Sequence, residues 1–98
     1  MIRPILRPRA VRDIGQIWDY TAAQWGVAQA ERYVRALRDV CALLASGALS
    51  GTDASEILPG YRRIRSGRHV IFFRQLPDGG VEIVRVLHQR MDARDHLD

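Results

Sequence analysis

Gly26 separates two stretches of helical periodicity and leaves no room for a loop between them, and this junction constrains the chain more than any other feature. Before it, Ile14, Ile17, Trp18, Thr21, Ala22 and Trp25 recur at the spacing of one helix face. After it, Ala30, Tyr33, Val34, Leu37, Cys41, Leu44 and Ala45 make a second stripe, with Glu31, Arg32, Arg35, Arg38 and Asp39 mostly off it. Two amphipathic helices joined by about one residue fold back as an antiparallel hairpin. Pro8 suits the first turn of the first helix, where a missing N–H costs nothing. Gly15 weakens that helix by about 1 kcal/mol relative to alanine, and Ser46-Gly47 stops the second. Trp18 and Trp25 are expected in the core. Cys41, the single cysteine, lies on the second stripe and reads as a small buried hydrophobe that can form no internal disulfide.

The period changes on either side of the hairpin. Residues 2–6 read as a short strand, and Pro4 places it at an edge or at its own start, since proline cannot donate to a ladder. Residues 46–59 are rich in Ser, Gly, Ala and Asp and read as a loop. Tyr61–Arg65 and Arg68–Gln75 read as strands around Ser66-Gly67, and Val81–Leu87 follows the turn signal Pro77-Asp78-Gly79-Gly80. Val70-Ile71-Phe72-Phe73 is apolar without alternation, which predicts a central strand covered at least in part on both faces. The tail from His88 to Asp98 is polar, with Met91 and Leu97 as anchors. The sum is an α+β domain over residues 1–98: an N-terminal edge strand and an antiparallel two-helix hairpin packed on a C-terminal three-stranded antiparallel sheet. At this length roughly two-thirds of the unfolded chain's surface is buried, enough for a core without metal or disulfide staples. The longest apolar runs are too short to span a bilayer. Arg3, Pro4, Arg7 and Pro8 interrupt any signal-like segment, so a cytoplasmic protein with no membrane association is expected.

The formal net charge is +4, and all fifteen basic residues are arginine. Such a chain attracts acidic partners. The arginines cluster twice. Arg3, Arg7, Arg9 and Arg12 crowd the start, and Arg62, Arg63, Arg65, Arg68 and Arg74 fall in a stretch with no Asp or Glu between Glu56 and Asp78. A two-residue Ser66-Gly67 loop would pair Arg65 with Arg68 and Arg63 with Val70, setting Arg63, Arg65 and Arg68 on one face. Like charges so placed repel, and an anionic partner for that face is one way to offset the repulsion.

The order of several short motifs resembles the ParE toxins of bacterial toxin–antitoxin modules, within the RelE/ParE superfamily. They are Ala10 and Asp13 with Ile17-Trp18 and Tyr20; Trp25-Gly26 with Gln29-Ala30 and Tyr33; and Gly60-Tyr61-Arg62-Arg63. Then come Gly67, Val70-Ile71-Phe72 with Arg74, and the most specific run, Arg85-Val86-Leu87-His88 with Arg90-Met91-Asp92, before His96-Leu97. One departure is Arg7 before Pro8, where the family usually places a serine as helix cap. The resemblance implies a toxin that inhibits DNA gyrase, blocks growth, and stabilises the plasmid or locus that carries it. It also implies neutralisation by a ParD-like antitoxin in a hetero-oligomer, with operator DNA contacted only through the antitoxin. On this reading Arg85, His88, Arg90, Met91 and Asp92 are the candidate target-binding residues, and Arg63, Arg65 and Arg68 contact antitoxin or target.

The superfamily also contains ribosome-dependent messenger-RNA nucleases, which is the alternative. Cleaving RNA needs groups that move protons, and arginine does not deprotonate in proteins. His69, His88, His96, Glu56 and Asp92 are the candidate bases, with His88 the first choice for catalysis. No lysine is present, and the last tyrosine is Tyr61. The missing catalytic set favours a toxin without enzymatic activity. A small basic nucleic-acid-binding domain is a second alternative, disfavoured because the aromatics sit on core stripes and are not interleaved with arginines. The histidines and acids lack metal-ligand spacing, and no cofactor or metal is expected.

Overall fold

The structure, a computed structural model, describes residues 3–97. Strand β1 (Ile5–Leu6) leads into helices α1 (Pro8–Trp25) and α2 (Val27–Ser46). Four further strands follow, β2 (Thr52–Asp53), β3 (Arg62–Ser66), β4 (His69–Gln75) and β5 (Val81–His88), and a 3₁₀ turn at Ala93–Asp95 closes the tail. The helix hairpin forms as the stripes predict. Gly26, at φ 94°, both ends α1 and begins α2: its N–H donates to the Ala22 carbonyl at 2.9 Å, and its carbonyl accepts from the Ala30 N–H at 3.1 Å. A residue with a Cβ is strained at that φ. Arg7 supplies no side-chain cap, yet α1 starts at Pro8. The Arg7 main chain is held instead, its N–H donating to the Ile83 carbonyl at 3.0 Å, and its guanidinium lies 3.0 Å from Glu82.

The sheet has five strands in the order β1-β5-β4-β3-β2, with β1 parallel to β5 and the other pairs antiparallel. The three predicted strands form its centre. The first strand lies at an edge, as Pro4 suggests, and its predicted first residue, Ile2, lies outside the described residues. The extra strand is β2, in the segment expected to be loop; two residues carry no readable periodicity, and Thr52 and Asp53 are strand only because Arg63 and Arg62 pair with them. The β3–β4 register also differs from expectation. Ser66 pairs with His69, so the turn is Gly67-Arg68, and Arg65 faces Val70 while Arg63 faces Phe72. Gly67 has φ 61° and Arg68 does not have a positive φ, which is the demand of a two-residue hairpin with glycine first.

The helices cover one face of the sheet. Ala10, Ile14 and Ile17 of α1 and Leu37, Cys41 and Leu44 of α2 pack on Ile71, Phe73, Ile83 and Val86. A bulge between Phe72 and Phe73 leaves Val84 as the extra residue opposite them on β5. This break in alternation lets Ile83 and Val86 both face the helices while Val84 and Leu87 face the other side. That second face is not open. Ala54, Tyr61, Phe72 and Leu97 complete a smaller cluster there, so β4 is covered on both faces as the unbroken run Val70–Phe73 predicts, and β5 is covered on both faces beside it. Fully burying side chains such as Leu37, Phe73 and Ile83 contributes about 1.5–3 kcal/mol each. Cys41 is buried, and burial pushes its thiol up to about 11, against a smaller opposing pull from Arg38, which makes it a core residue and a poor nucleophile. No helix of the described residues is long and apolar enough to cross a membrane.

Candidate functional site

The last turns of α1 and the first of α2 stand away from the sheet, and the space between them and the end of β5 is a groove of about 890 Å³. Its apolar wall explains two departures from the sequence reading. Trp25, expected in the core, is 71% exposed, and Met91, expected as a tail anchor, is 41% exposed. Both line the groove with Tyr20, which is 67% exposed. Trp25 is the last residue of α1, where the helix has the groove and not the strands beneath it. Trp18, about two turns earlier, is half-buried. Leu97 does act as an anchor and is buried.

Two polar arrangements hold the groove's walls. The first joins α1 to β5. Asp13, on the buried stripe of α1, receives the Arg85 guanidinium through both carboxylate oxygens, at 2.8 and 2.9 Å, and its Oδ2 also accepts from the Val86 N–H at 2.9 Å. Arg85 donates onward to the His96 carbonyl at 3.1 Å and so ties the tail to the same point. The pair is largely shielded from water, with side-chain exposures of 9% for Asp13 and 15% for Arg85. Removing one member of such a pair leaves the other charge buried and unpaired.

The second arrangement joins α2 to the β3–β4 turn and to β5. The Arg68 N–H donates to Tyr33 Oη at 2.9 Å, and Tyr33 Oη lies 2.6 Å from His69 Nδ1 but 3.5 Å from the Ser66 carbonyl. In the Nε2–H tautomer of His69 the phenol donates to Nδ1, the nearer of its two acceptors. The His69 ring also meets the His88 ring edge-on, with centroids 5.3 Å apart. His69 is held below the usual histidine range by burial first and then by His88, with Asp13 pulling the other way. His88 Nδ1 accepts from the Arg90 N–H at 3.2 Å. A Cβ on Gly67 would fall 2.7 Å from Tyr33 Oη, so only glycine lets the turn lie against this ring.

The residues singled out from the sequence are therefore distributed unevenly. Arg85, His88 and Met91 line the groove with Arg68 and His69. Arg85 is engaged in wall-building through Asp13. Asp92 caps the tail turn, its Oδ1 accepting from the Arg94 N–H at 3.0 Å, while Arg90 is exposed beside it. Arg63, Arg65 and Arg68 do not form one face. Arg63 pairs with Glu56 at 2.9 Å, Arg65 folds back on the Gly67 carbonyl at 3.1 Å, and Arg68 sits in the turn. The turn falls one residue later than predicted, so no arginine of β3 pairs with an arginine of β4. Among the candidate bases, Glu56 is held by Arg63 and Asp92 by its cap, His96 is half-buried in the tail, and His69 and His88 come together. Among the described residues no three His, Cys, Asp or Glu side chains form a cluster fit for a metal ion. Sequence spacing does not single out Tyr33 or Asp13 as site residues. The carboxylate of Asp13 on an apolar stripe was the readable signal of a buried pair; Tyr33 on its own stripe gave none.

This architecture is RelE/ParE-like. It superposes on a solved structure titled "Chromosomal ParDE TA system from P. aeruginosa" with a TM-score of 0.74, at 20% identity, over 90% of this chain and 96% of that one. The profile of the family described as "ParE toxin of type II toxin-antitoxin system, parDE" matches residues 5–93. The chain is 42% identical to toxin ParE1 of Mycobacterium tuberculosis over 97% of each chain. It is 44% identical to toxin ParE1 of Caulobacter vibrioides over 94% of each, and 38% identical to toxin ParE of Escherichia coli over 95% of this chain and 90% of that one. The chain belongs to the ParE toxin family of type II toxin–antitoxin systems.

Proposed function

We propose that this toxin acts in the cytoplasm by inhibiting DNA gyrase, without enzymatic activity of its own, and that a ParD-like antitoxin neutralises it by laying a segment in the groove. The observation that carries the antitoxin half is the exposure of Trp25, Tyr20 and Met91 along one groove. Aromatic and methionine side chains left in water at a concave site are the usual anchors of a protein interface. Arg68, exposed at the far end of the groove, and the +4 charge of the chain suit an occupant with acidic as well as apolar residues. Operator DNA would be reached only through the antitoxin. The gyrase half rests on family membership and on the tail, where Arg90 and Met91 are exposed and offer a contact outside the core.

The nuclease reading keeps one supporting observation, the meeting of His69 and His88 in the groove, since two imidazoles near arginines are groups that could move a proton and stabilise a phosphorane. One experiment separates the two. The purified chain is added to gyrase with plasmid DNA and, in parallel, to a programmed ribosome. Lost supercoiling or trapped cleaved DNA with intact messenger RNA supports the gyrase reading. Cut messenger RNA with gyrase unaffected overturns it and makes His88→Ala the first variant to examine.

A further inference from the structure

Tyr33 of α2, the Gly67-Arg68 turn, His69 of β4 and His88 of β5 meet at one end of the groove through contacts that depend on where a single proton sits. Tyr33 Oη accepts from the Arg68 N–H at 2.9 Å and lies 2.6 Å from His69 Nδ1, to which it donates when His69 carries its proton on Nε2. Donation from Tyr33 to Nδ1 requires His69 to be neutral. The charged and titratable groups that line the groove around it are Asp13 and Tyr20 from α1, Arg68 from the turn, and Arg85 and His88 from β5, with Tyr33 on the α2 side. Asp13 is the single carboxylate among the described lining residues, and Arg85 and the Val86 N–H already engage it. Asp13 favours a positive charge on His69, and burial and His88 outweigh it.

We propose that Tyr33, His69 and His88 form a proton-operated latch, which holds the Gly67-Arg68 turn against α2 while His69 is neutral and loosens it when His69 gains a proton. Protonation turns Nδ1 from acceptor to donor. Tyr33 Oη then faces two donors, Nδ1–H and the Arg68 N–H. Its own proton is left with the Ser66 carbonyl, 3.5 Å away, at the outer limit of a hydrogen bond. Tyr33 cannot close that distance without moving the turn, because Gly67 already lies against its ring. The imidazolium also faces His88, 5.3 Å away between ring centroids. A looser turn moves Arg68 and changes the shape of the groove's end. The latch belongs to the free chain and holds whatever fills the groove, so it neither depends on the gyrase and antitoxin reading nor fails with it.

The test is a titration of the full, isotope-labelled chain from pH 8 to pH 5, followed by nuclear magnetic resonance of the imidazole nitrogens and the backbone amides. The expected result has three parts. At pH 8, His69 carries its proton on Nε2. The Gly67 and Arg68 amides shift together with the His69 ring, sharing a midpoint below 6.5, the ordinary value for histidine. In Tyr33→Phe the His69 midpoint rises, because the donor that favoured the neutral ring is gone, and the Arg68 amide no longer follows it. His88→Gln raises the His69 midpoint and leaves that coupling in place. Gly67 and Arg68 amides that stay still through the wild-type titration overturn the latch, as does a His69 ring protonated on Nδ1 at pH 8. Since the wild-type titration decides by itself, a variant that fails to fold does not protect the proposal.

Discussion

The Asp13–Arg85 junction and the Tyr33–His69–His88 corner line the same groove, and they hold its walls in opposite ways. At the junction, full charges meet in a shielded place, and the carboxylate makes three short contacts, two to the guanidinium and one to the Val86 N–H. Arginine stays protonated at any working pH, so this tie is permanent across the range in which the protein operates. At the corner the tie is made by neutral groups, and its direction depends on a histidine held below its ordinary range. One wall is fixed and the other responds to protons. The difference follows from the partners available. α1 brings a carboxylate to β5, whereas α2 brings a phenol to the turn.

The contrast can be broken by experiment, most severely at the junction. Asp13→Ala leaves the Arg85 guanidinium and the Val86 N–H without their acceptor, and is expected to cost about 3–5 kcal/mol, read as a lower urea midpoint at unchanged slope. A loss below about 1 kcal/mol would show the pair to be no more than a surface contact. For the same reason Arg85→Ala is a poor probe of target binding, because lost growth inhibition would report lost structure; Arg90→Ala, at an exposed position, is the cleaner change.

Gly67→Ala comes next. It places a Cβ 2.7 Å from Tyr33 Oη at φ 61°, and is expected to cost about 1–3 kcal/mol, seen as a lower thermal midpoint. A neutral result would mean that the turn is free to move away from α2 and that the corner holds nothing.

The pH dependence of stability sharpens the contrast further. His69 is depressed in the folded chain from an unfolded value of 6.5. The unfolded chain therefore takes up the proton first as pH falls. The stabilisation from neutral His69 is fully present above pH 6.5, declines below it, and is lost as pH passes through the lower folded value. Denaturation midpoints measured from pH 7.5 to pH 5 should fall more steeply for the wild type than for His69→Gln, and parallel curves would remove His69 from the account.

The smallest expected effect on stability is that of Trp25→Ala, within about 0.5 kcal/mol for an exposed side chain. Affinity for the antitoxin should nonetheless fall by about 2 kcal/mol or more if Trp25 is an interface anchor. Unchanged binding by calorimetry would remove the apolar rim of the groove from the proposed interface.

Much of the fold was legible because periodicity is a local property. The stripes from Ile14 and Ala30 and the run Val70–Phe73 each point to one kind of element, and Gly26 forces the hairpin. The errors lie where the deciding information was not local. Strand β2 exists only through its pairing with β3. The turn at Gly67-Arg68 was placed one residue early, since Ser66-Gly67 and Gly67-Arg68 are both plausible two-residue loops until the packing of Gly67 on Tyr33 selects between them. Trp25 has the spacing of a core residue, and sequence spacing does not reveal where the sheet beneath a helix stops.

The candidate site was less legible than the fold. Arg85, His88 and Met91 were singled out and do reach the groove, whereas Arg63 and Arg65 do not belong with Arg68. By itself the sequence determined the helix hairpin, the central strands, the buried cysteine and the family, because each rests on residue order or short-range periodicity. The tertiary structure alone decided which charges are engaged and which face solvent, since a guanidinium's role depends on the carboxylate within 3 Å of it. It also decided that Asp13 meets Arg85 and that Tyr33 meets His69, contacts between residues 72 and 36 positions apart that no local pattern encodes.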